Sequence, residues 1–189
     1  MLERRQFVGR LLADRGDLLV VTGLGSPTWD VAATGDHPLN FYLWGAMGGA
    51  AMIGLGLALA QPDRAVAVIT GDGEALMGLG SLATIGVKQP RNLSIVVLDN
   101  AHYGETGMQP SHTKAGVDLI AIAKACRFRQ AELITEMKAA GEMRALLHGL
   151  QGPTFIQAAV KADDLPRVLP IRDGHSIKQR FTQALGTQI

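Results

Sequence analysis

Two short apolar runs, each ending in a turn that carries a polar oxygen ligand, constrain this chain more than any other feature. Ala65-Val66-Ala67-Val68-Ile69 leads into Gly71-Asp72-Gly73, and Glu74 onward then reads as helix. Leu93-Ser94-Ile95-Val96-Val97-Leu98 ends in Asp99-Asn100 and a loop rich in polar and glycine residues. Consecutive parallel strands of an open α/β sheet bring their carboxyl ends to one edge, so the two turns are expected to be neighbours in space. An Asp carboxylate, an Asn amide oxygen and a nearby main-chain carbonyl form a sparse oxygen set. Mg²⁺ accepts such a set when phosphate oxygens and water complete its octahedron. Gly73 lets the backbone come close to a phosphate, and the following helix offers free N–H groups and the positive end of its dipole. The pair of turns therefore asks for a metal diphosphate.

The rest of the chain supplies more of the same alternation. An amphipathic helix over Leu2 to Ala13 precedes a buried strand, Asp17 to Thr22, which ends in Gly23-Leu24-Gly25-Ser26-Pro27. Two glycines, a hydroxyl and a Pro at the first helical position make that turn friendly to anions, although strand-to-helix junctions also need Gly for their own geometry. A short helix (Pro27 to Ala33), an extended segment (Leu39 to Trp44) and an uncharged stretch (Ala46 to Ala60) follow. At 15 residues that stretch is shorter than the roughly 20 needed to cross a bilayer, so it reads as a buried helix with Gly54 and Gly56 as packing residues. Later elements are a helix from Glu74 to Val87, a helix from Val117 to Ala125 and a strand over Phe128 to Glu132. A helix from Thr135 to His148 and a strand from Thr154 to Val160 complete them. The expectation is a single domain over residues 1–189, with about six parallel strands and helices on both faces. A charged, proline-bearing tail over 163–189 ends it, with a final helix from about His175 to Leu185.

A Gly-Asp-Gly turn followed 28 residues after its Asp by an Asn at a strand end resembles the signature of thiamine diphosphate (ThDP) enzymes. The string from Asp99 to Thr113 is most similar to the phosphonopyruvate and sulfopyruvate decarboxylase branch, in particular its β subunit. The resemblance implies a ThDP-binding fold, ThDP and Mg²⁺ as cofactors, and Asp72, Asn100 and the carbonyl of His102 as metal ligands. It also implies cofactor contacts at Gly23, Gly25, Ser26, Gly71, Gly73, Tyr103 and Gly104, and at the backbone N–H of Glu74. The Glu74 side chain departs from the smaller residue common in relatives. Trp44-Gly45-Ala46-Met47-Gly48 resembles the family's segment in which a glycine carbonyl accepts from the aminopyrimidine and an apolar residue wedges the cofactor into a bent shape. Those roles fall to Gly45 and Met47. Without the resemblance, Met47 reads as core.

In this family a Glu on a separate pyrimidine-binding domain activates the cofactor, and nothing in this chain corresponds to that domain. Glu74 and Glu105 belong to the diphosphate and metal turns. The chain thus reads as half of an active site, with a second (α) polypeptide supplying the activating Glu. A hetero-oligomer, or a homodimer of β chains, is expected. His102 and His112 become candidate catalytic residues at the substrate end, with Tyr103 and Ser111 beside them. The alternative for each His is an exposed loop residue. Gly104, Gly107 and Gly116 suggest a lid. His37, His148 and His175 read as surface residues.

Composition excludes other classes. A net charge of +1 with interspersed acids and bases implies neither nucleic-acid nor membrane binding. The lone Cys126 excludes an internal disulfide or an iron–sulfur cluster within the chain and reads as a small buried hydrophobe. Met1 to Arg10 lacks the apolar core of a secretory signal, so a cytoplasmic location is expected. The reading is a nonoxidative 2-oxo acid decarboxylase subunit, with a ThDP-dependent carboligase or oxidoreductase subunit as alternative. A noncatalytic diphosphate-binding module is another. A dinucleotide binder is disfavoured because Gly23-Leu24-Gly25-Ser26-Pro27-Thr28 lacks the third glycine of the dinucleotide fingerprint.

Overall fold

A computed structural model describes residues 1–186. Its strands are β1 (Leu19–Thr22), β2 (Asn40–Tyr42), β3 (Val66–Gly71), β4 (Leu93–Asp99), β5 (His102–Tyr103), β6 (Gln109–Pro110), β7 (Gln130–Ile134) and β8 (Thr154–Ala159). Its α-helices are α1 (Arg4–Leu11), α2 (Ser26–Ala33), α3 (Ala50–Ala60), α4 (Asp72–Met77), α5 (Gly80–Lys88), α6 (Leu119–Ala125), α7 (Ala140–His148) and α8 (Gly174–Leu185). Six strands form one parallel sheet in the order β2-β1-β3-β4-β8-β7, as the alternation in the sequence implies. The chain steps from β1 to β2 on one side and to β3 on the other. The β1–α2 and β3–α4 turns therefore leave the same rim at a topological switch point, where open α/β sheets hold their ligands.

Side chains along each strand alternate between two cores. Ala67, Ile69, Val96, Leu98 and Ile156 meet Phe7, Val8 and Leu11 of α1, Val31 of α2, and Met143 and Leu147 of α7. Val66, Val68, Ile95, Val97 and Phe155 meet Leu55 of α3, Leu82 and Ile85 of α5, and Leu119 of α6. Gly54 is where α3 comes closest to the sheet, since a Cβ there would overlap the Val68 side chain.

Several elements differ from the sequence expectation. The expected helix over Ala46 to Ala60 begins only at Ala50, and it is not buried all round. Met52 and Leu59 are 43% and 52% exposed, and Gly56 faces open space rather than a packing neighbour. The expected Glu74–Val87 helix is two helices that break at Gly78-Leu79. Gly78 lies so close to Gly48 that a Cβ would overlap the Gly48 carbonyl. The polar loop after Asn100 folds into the β5–β6 hairpin, whose two-residue strands carry no periodic signal. The last strand but one starts at Gln130 rather than Phe128, and α7 is preceded by a 3₁₀ turn at Met137–Ala139. Cys126 is half-buried, and its carbonyl occupies the space a Cβ on Gly86 would need.

Composition leaves open whether the tail packs on its own domain, and the structure decides that it does. Arg5 donates to Pro166 O at 2.8 Å, and Trp44 Nε1 donates to Ile171 O at 2.9 Å. Arg167 stacks over Trp29, and Phe181 of α8 packs edge-on against Phe41. Among the described residues no helix is long and apolar enough to cross a membrane.

Candidate active site

At the switch point lies a cleft of about 620 Å³ of empty space, open to solvent. Three chain segments build it: Leu24, Ser26 and Pro27 from the β1–α2 turn; Gly71 to Glu74 from the β3–α4 turn; and Leu98, Asn100 and His102 to Thr106 from the end of β4 and the hairpin. Met47 and Arg4 complete the lining. In the register of the sheet Gly71 pairs with Leu98, which puts Asp72 and Asn100 one and two residues beyond one ladder rung.

Asp72 is buried, with 2% exposure, and a second acid, Asp99, lies close behind it at 9%. Burial pushes the Asp72 carboxyl up to about 6. Hydrogen bonding from Ser111 opposes that shift, and the negative charge of Asp99 adds to it. Asp99 is otherwise committed. It accepts from Gln157 Nε2 at 2.7 Å, from Ala101 N at 2.8 Å and from Thr113 Oγ1 at 2.9 Å. Asp72 is held by Ser111, by its own backbone N–H and by the Asp99 side chain, with Thr113 Oγ1 more distant at 3.5 Å. A buried acid held against another acid is stabilised by a cation, and the oxygens that gather here suit Mg²⁺. The Asn100 amide oxygen accepts from His102 N at 2.9 Å in a tight turn through Ala101, whose φ is +60°. A non-glycine residue in that region is uncommon and marks a backbone held by its surroundings.

Glu74 is buried and faces the scaffold. Its carboxylate accepts from Leu24 N at 2.9 Å, from Thr70 Oγ1 at 3.0 Å and from Ala50 N at 3.2 Å. It thus ties the β1–α2 turn and the first turn of α3 to the β3–α4 turn. This also explains Gly23, because a Cβ there would overlap the Glu74 carboxylate. Gly73 is equally constrained: a Cβ would come within 2.9 Å of the Tyr103 ring that covers it. Gly25 has φ +79°, and the Glu105 carboxylate rests against it.

The two loop histidines are anchored through Nδ1. His102 Nδ1 lies 2.8 Å from Asn100 O, and His112 Nδ1 lies 2.9 Å from the Tyr103 hydroxyl. Of the candidates named from the sequence, Ser26, Met47, Gly71, Asp72, Gly73, Glu74, Asn100, His102, Tyr103 and Gly104 all line the cleft. Gly23, Gly25, Gly45 and His112 do not, and His112 reaches it only through Tyr103. Sequence reasoning placed Glu105 in the metal turn without a role, and it missed Arg4 and Thr106 among the lining residues and the supports Asp99, Thr113 and Gln157. Asp99 next to Asn100 was the available signal, since an acid closing an apolar strand needs partners.

The fold and this rim define a parallel α/β domain with a cleft lined by acidic and polar groups at the carboxyl edge of its sheet. Comparison with known proteins makes the class specific: residues 24–158 match the family described as "Thiamine pyrophosphate enzyme, C-terminal TPP binding domain", and the chain belongs to that family. It is 36% identical to the sulfopyruvate decarboxylase subunit beta of Methanothermobacter thermautotrophicus, over 96% of this chain and 94% of that one. It is 40% identical to the phosphonopyruvate decarboxylase of Streptomyces viridochromogenes, over 85% of this chain but only 42% of the relative, so the chain spans less than half of that protein. A solved structure of a protein from Mycobacterium smegmatis shares the fold, with a TM-score of 0.71 at 22% identity over 86% of this chain and 32% of that one.

Proposed function

We propose that this chain is the ThDP- and Mg²⁺-binding subunit of a nonoxidative decarboxylase acting on an acidic 2-oxo acid of the sulfopyruvate or phosphonopyruvate class. The observation that carries the reading is the convergence of Asp72 and Asn100 on one cleft, where burial and the neighbouring charge of Asp99 push the Asp72 carboxyl up. Asp72, Asn100 and the His102 carbonyl are the proposed metal ligands. Gly71, Gly73, Ser26 and the Glu74 N–H are the proposed diphosphate contacts. Bound there, ThDP would supply an electron sink for the carbanion left when CO₂ departs. This chain's own residues bind and orient: Met47 offers an apolar wedge beneath the cofactor, and Tyr103 closes over Gly73 and limits water at the diphosphate end. The anchored rings of His102 and His112 are the proposed proton-handling groups at the substrate end.

A partner subunit is part of this reading. Its support is the likeness to a β subunit along nearly the whole chain, together with an uncovered apolar surface. On the layer of α3, α4 and α5, Met52, Leu59, Met77 and Val87 are 43–74% exposed. The partner would bring the pyrimidine-binding domain and its activating Glu to that side of the cleft, and the pair would work in the cytoplasm. The test is reconstitution: this chain, its candidate α partner, ThDP and Mg²⁺ are assayed for CO₂ release from sulfopyruvate and phosphonopyruvate. Full-rate decarboxylation by this chain alone would refute the split site. Failure of ThDP to bind in the presence of Mg²⁺ would refute the cofactor.

A further inference from the structure

Arg4 sits at the start of α1, far in sequence from both turns, yet it lines the cleft at 3% exposure. Its Nε is paired with Asp30 of α2, which is wholly buried, and its Nη1 donates to Asp163 O at 3.4 Å. Among the described residues its Nη2 has no hydrogen-bond partner, although an arginine presents five donors. The same Asp30 also accepts from Arg5 Nε at 3.1 Å. One carboxylate thus faces two guanidiniums, and one positive charge is left over. Arg5 reaches solvent, its side chain being 28% exposed, whereas Arg4 is the buried member. A buried charge without full compensation is costly unless a counter-charge arrives. Arg4 is also the only Lys or Arg among the residues that line the cleft, which otherwise include Asp72, Glu74 and Glu105.

We infer that Arg4 is a further oxyanion-binding residue of this cleft, donating through its free guanidinium edge to the diphosphate of the cofactor. Asp30 is the group that orients it. The inference rests on the proposed cofactor and extends it to a residue outside the turn motifs. The charges require such a group, because a diphosphate carries more negative charge than one divalent cation offsets, and Asp72 adds to the deficit. Fixing Nε on Asp30 sets the plane of the guanidinium before any ligand enters, so little side-chain freedom is lost on binding.

The test compares Arg4→Met with Arg5→Met in the full chain, by calorimetric titration with inorganic pyrophosphate and with ThDP, each in the presence of Mg²⁺. Both variants remove one guanidinium from Asp30, but only the first removes a group from the cleft. Charge-assisted hydrogen bonds of this kind correspond to a loss of about 10- to 100-fold in affinity for both probes in Arg4→Met. Arg4→Lys should recover part of the loss, and Arg5→Met should bind as the parent does. Circular dichroism and thermal melting identify any variant that is unfolded. In that event Arg4→Lys against Arg5→Lys makes the same comparison with the charge retained, and only the Arg4 change should weaken binding. Equal losses at positions 4 and 5 would reduce Arg4 to a support of the Asp30 cluster and overturn the inference, as would unchanged binding in Arg4→Met. A parent chain that binds neither probe would instead overturn the proposed cofactor, and this inference with it.

Discussion

The β3–α4 turn and the loop from Asn100 to Thr113 face each other across the cleft, and they are built by opposite means. The first is four residues long and held from beneath. Asp72 and Glu74 are buried, and Glu74 alone accepts three hydrogen bonds, two of them from other chain segments. The second is held mostly by itself. Tyr103 pairs with His112, Gln109 with Thr106 and Ser111 with Thr113, and residues 104–110 are exposed. The turn gets its geometry from the fold, whereas the loop gets its geometry from local polar bonds and from backbone positions such as Ala101 and Met108 at positive φ. A braced wall opposite a locally organised one suits the proposed site, where an ion is to be fixed in place and a ligand admitted.

Substitutions on the two sides should therefore fail differently. The largest effect is expected at Asp72. Asp72→Ala should weaken Mg²⁺-dependent ThDP binding by more than about 100-fold, because even the outer partners of metal ligands are worth about 10- to 100-fold. Calorimetry with and without Mg²⁺ checks this, and a small loss would break the assignment of the turn as the cation's holder. Next is Glu74→Ala, which leaves the N–H groups of Leu24 and Ala50 without their acceptor. A loss of about 2–4 kcal/mol is expected, read as a fall of roughly 5–15 °C in melting temperature. A variant that melts normally but binds poorly would mean that Glu74 belongs to the ligand rather than to the scaffold.

Acidity provides a third contrast. Burial raises the Asp72 carboxyl from 3.8 to about 6, so in the metal-free fold its contribution to stability is fully present below about pH 4. It fades as pH rises and is lost above about pH 6. Cation binding needs the ionised form and runs the other way. Mg²⁺ affinity should fall by up to about tenfold per pH unit below pH 6. Melting curves of Asp72→Asn should lack the Asp72 part of the pH dependence. The smallest effect belongs to the self-held loop. Tyr103→Phe keeps the ring over Gly73 and removes only the bond to His112. It should shift the melting temperature by less than about 4 °C, as an exposed hydrogen bond is worth at most about 1 kcal/mol. A larger shift would show that the loop is tied to the fold after all.

Much of this was legible because it depends on local patterns. The runs before Asp72 and Asn100 are apolar throughout, so they specify strands buried on both faces. Helix-forming segments between them specify crossovers, and these bring both turns to one rim. The break between α4 and α5 was not legible. Nothing in Glu74 to Val87 forbids a continuous helix, and it is the Gly48 backbone, arriving from another segment, that takes the space beside Gly78. The exposure of Met52 and Leu59 was hidden for the same reason, since an apolar residue in a sequence does not say whether its neighbour lies in the same chain.

By itself, then, the sequence determined the parallel α/β class, the family, and the pair of rim residues, 72 and 100, on which the proposed metal diphosphate site rests. Only the tertiary structure decided that Glu74 braces the site from outside, that the tail folds back on its own domain and that Arg4 enters the cleft. Periodicity and turn chemistry act over a few residues and can be read along the chain. A hydrogen bond from Leu24 to Glu74, or an ion pair from Arg4 to Asp30, exists only once packing has fixed distant segments side by side.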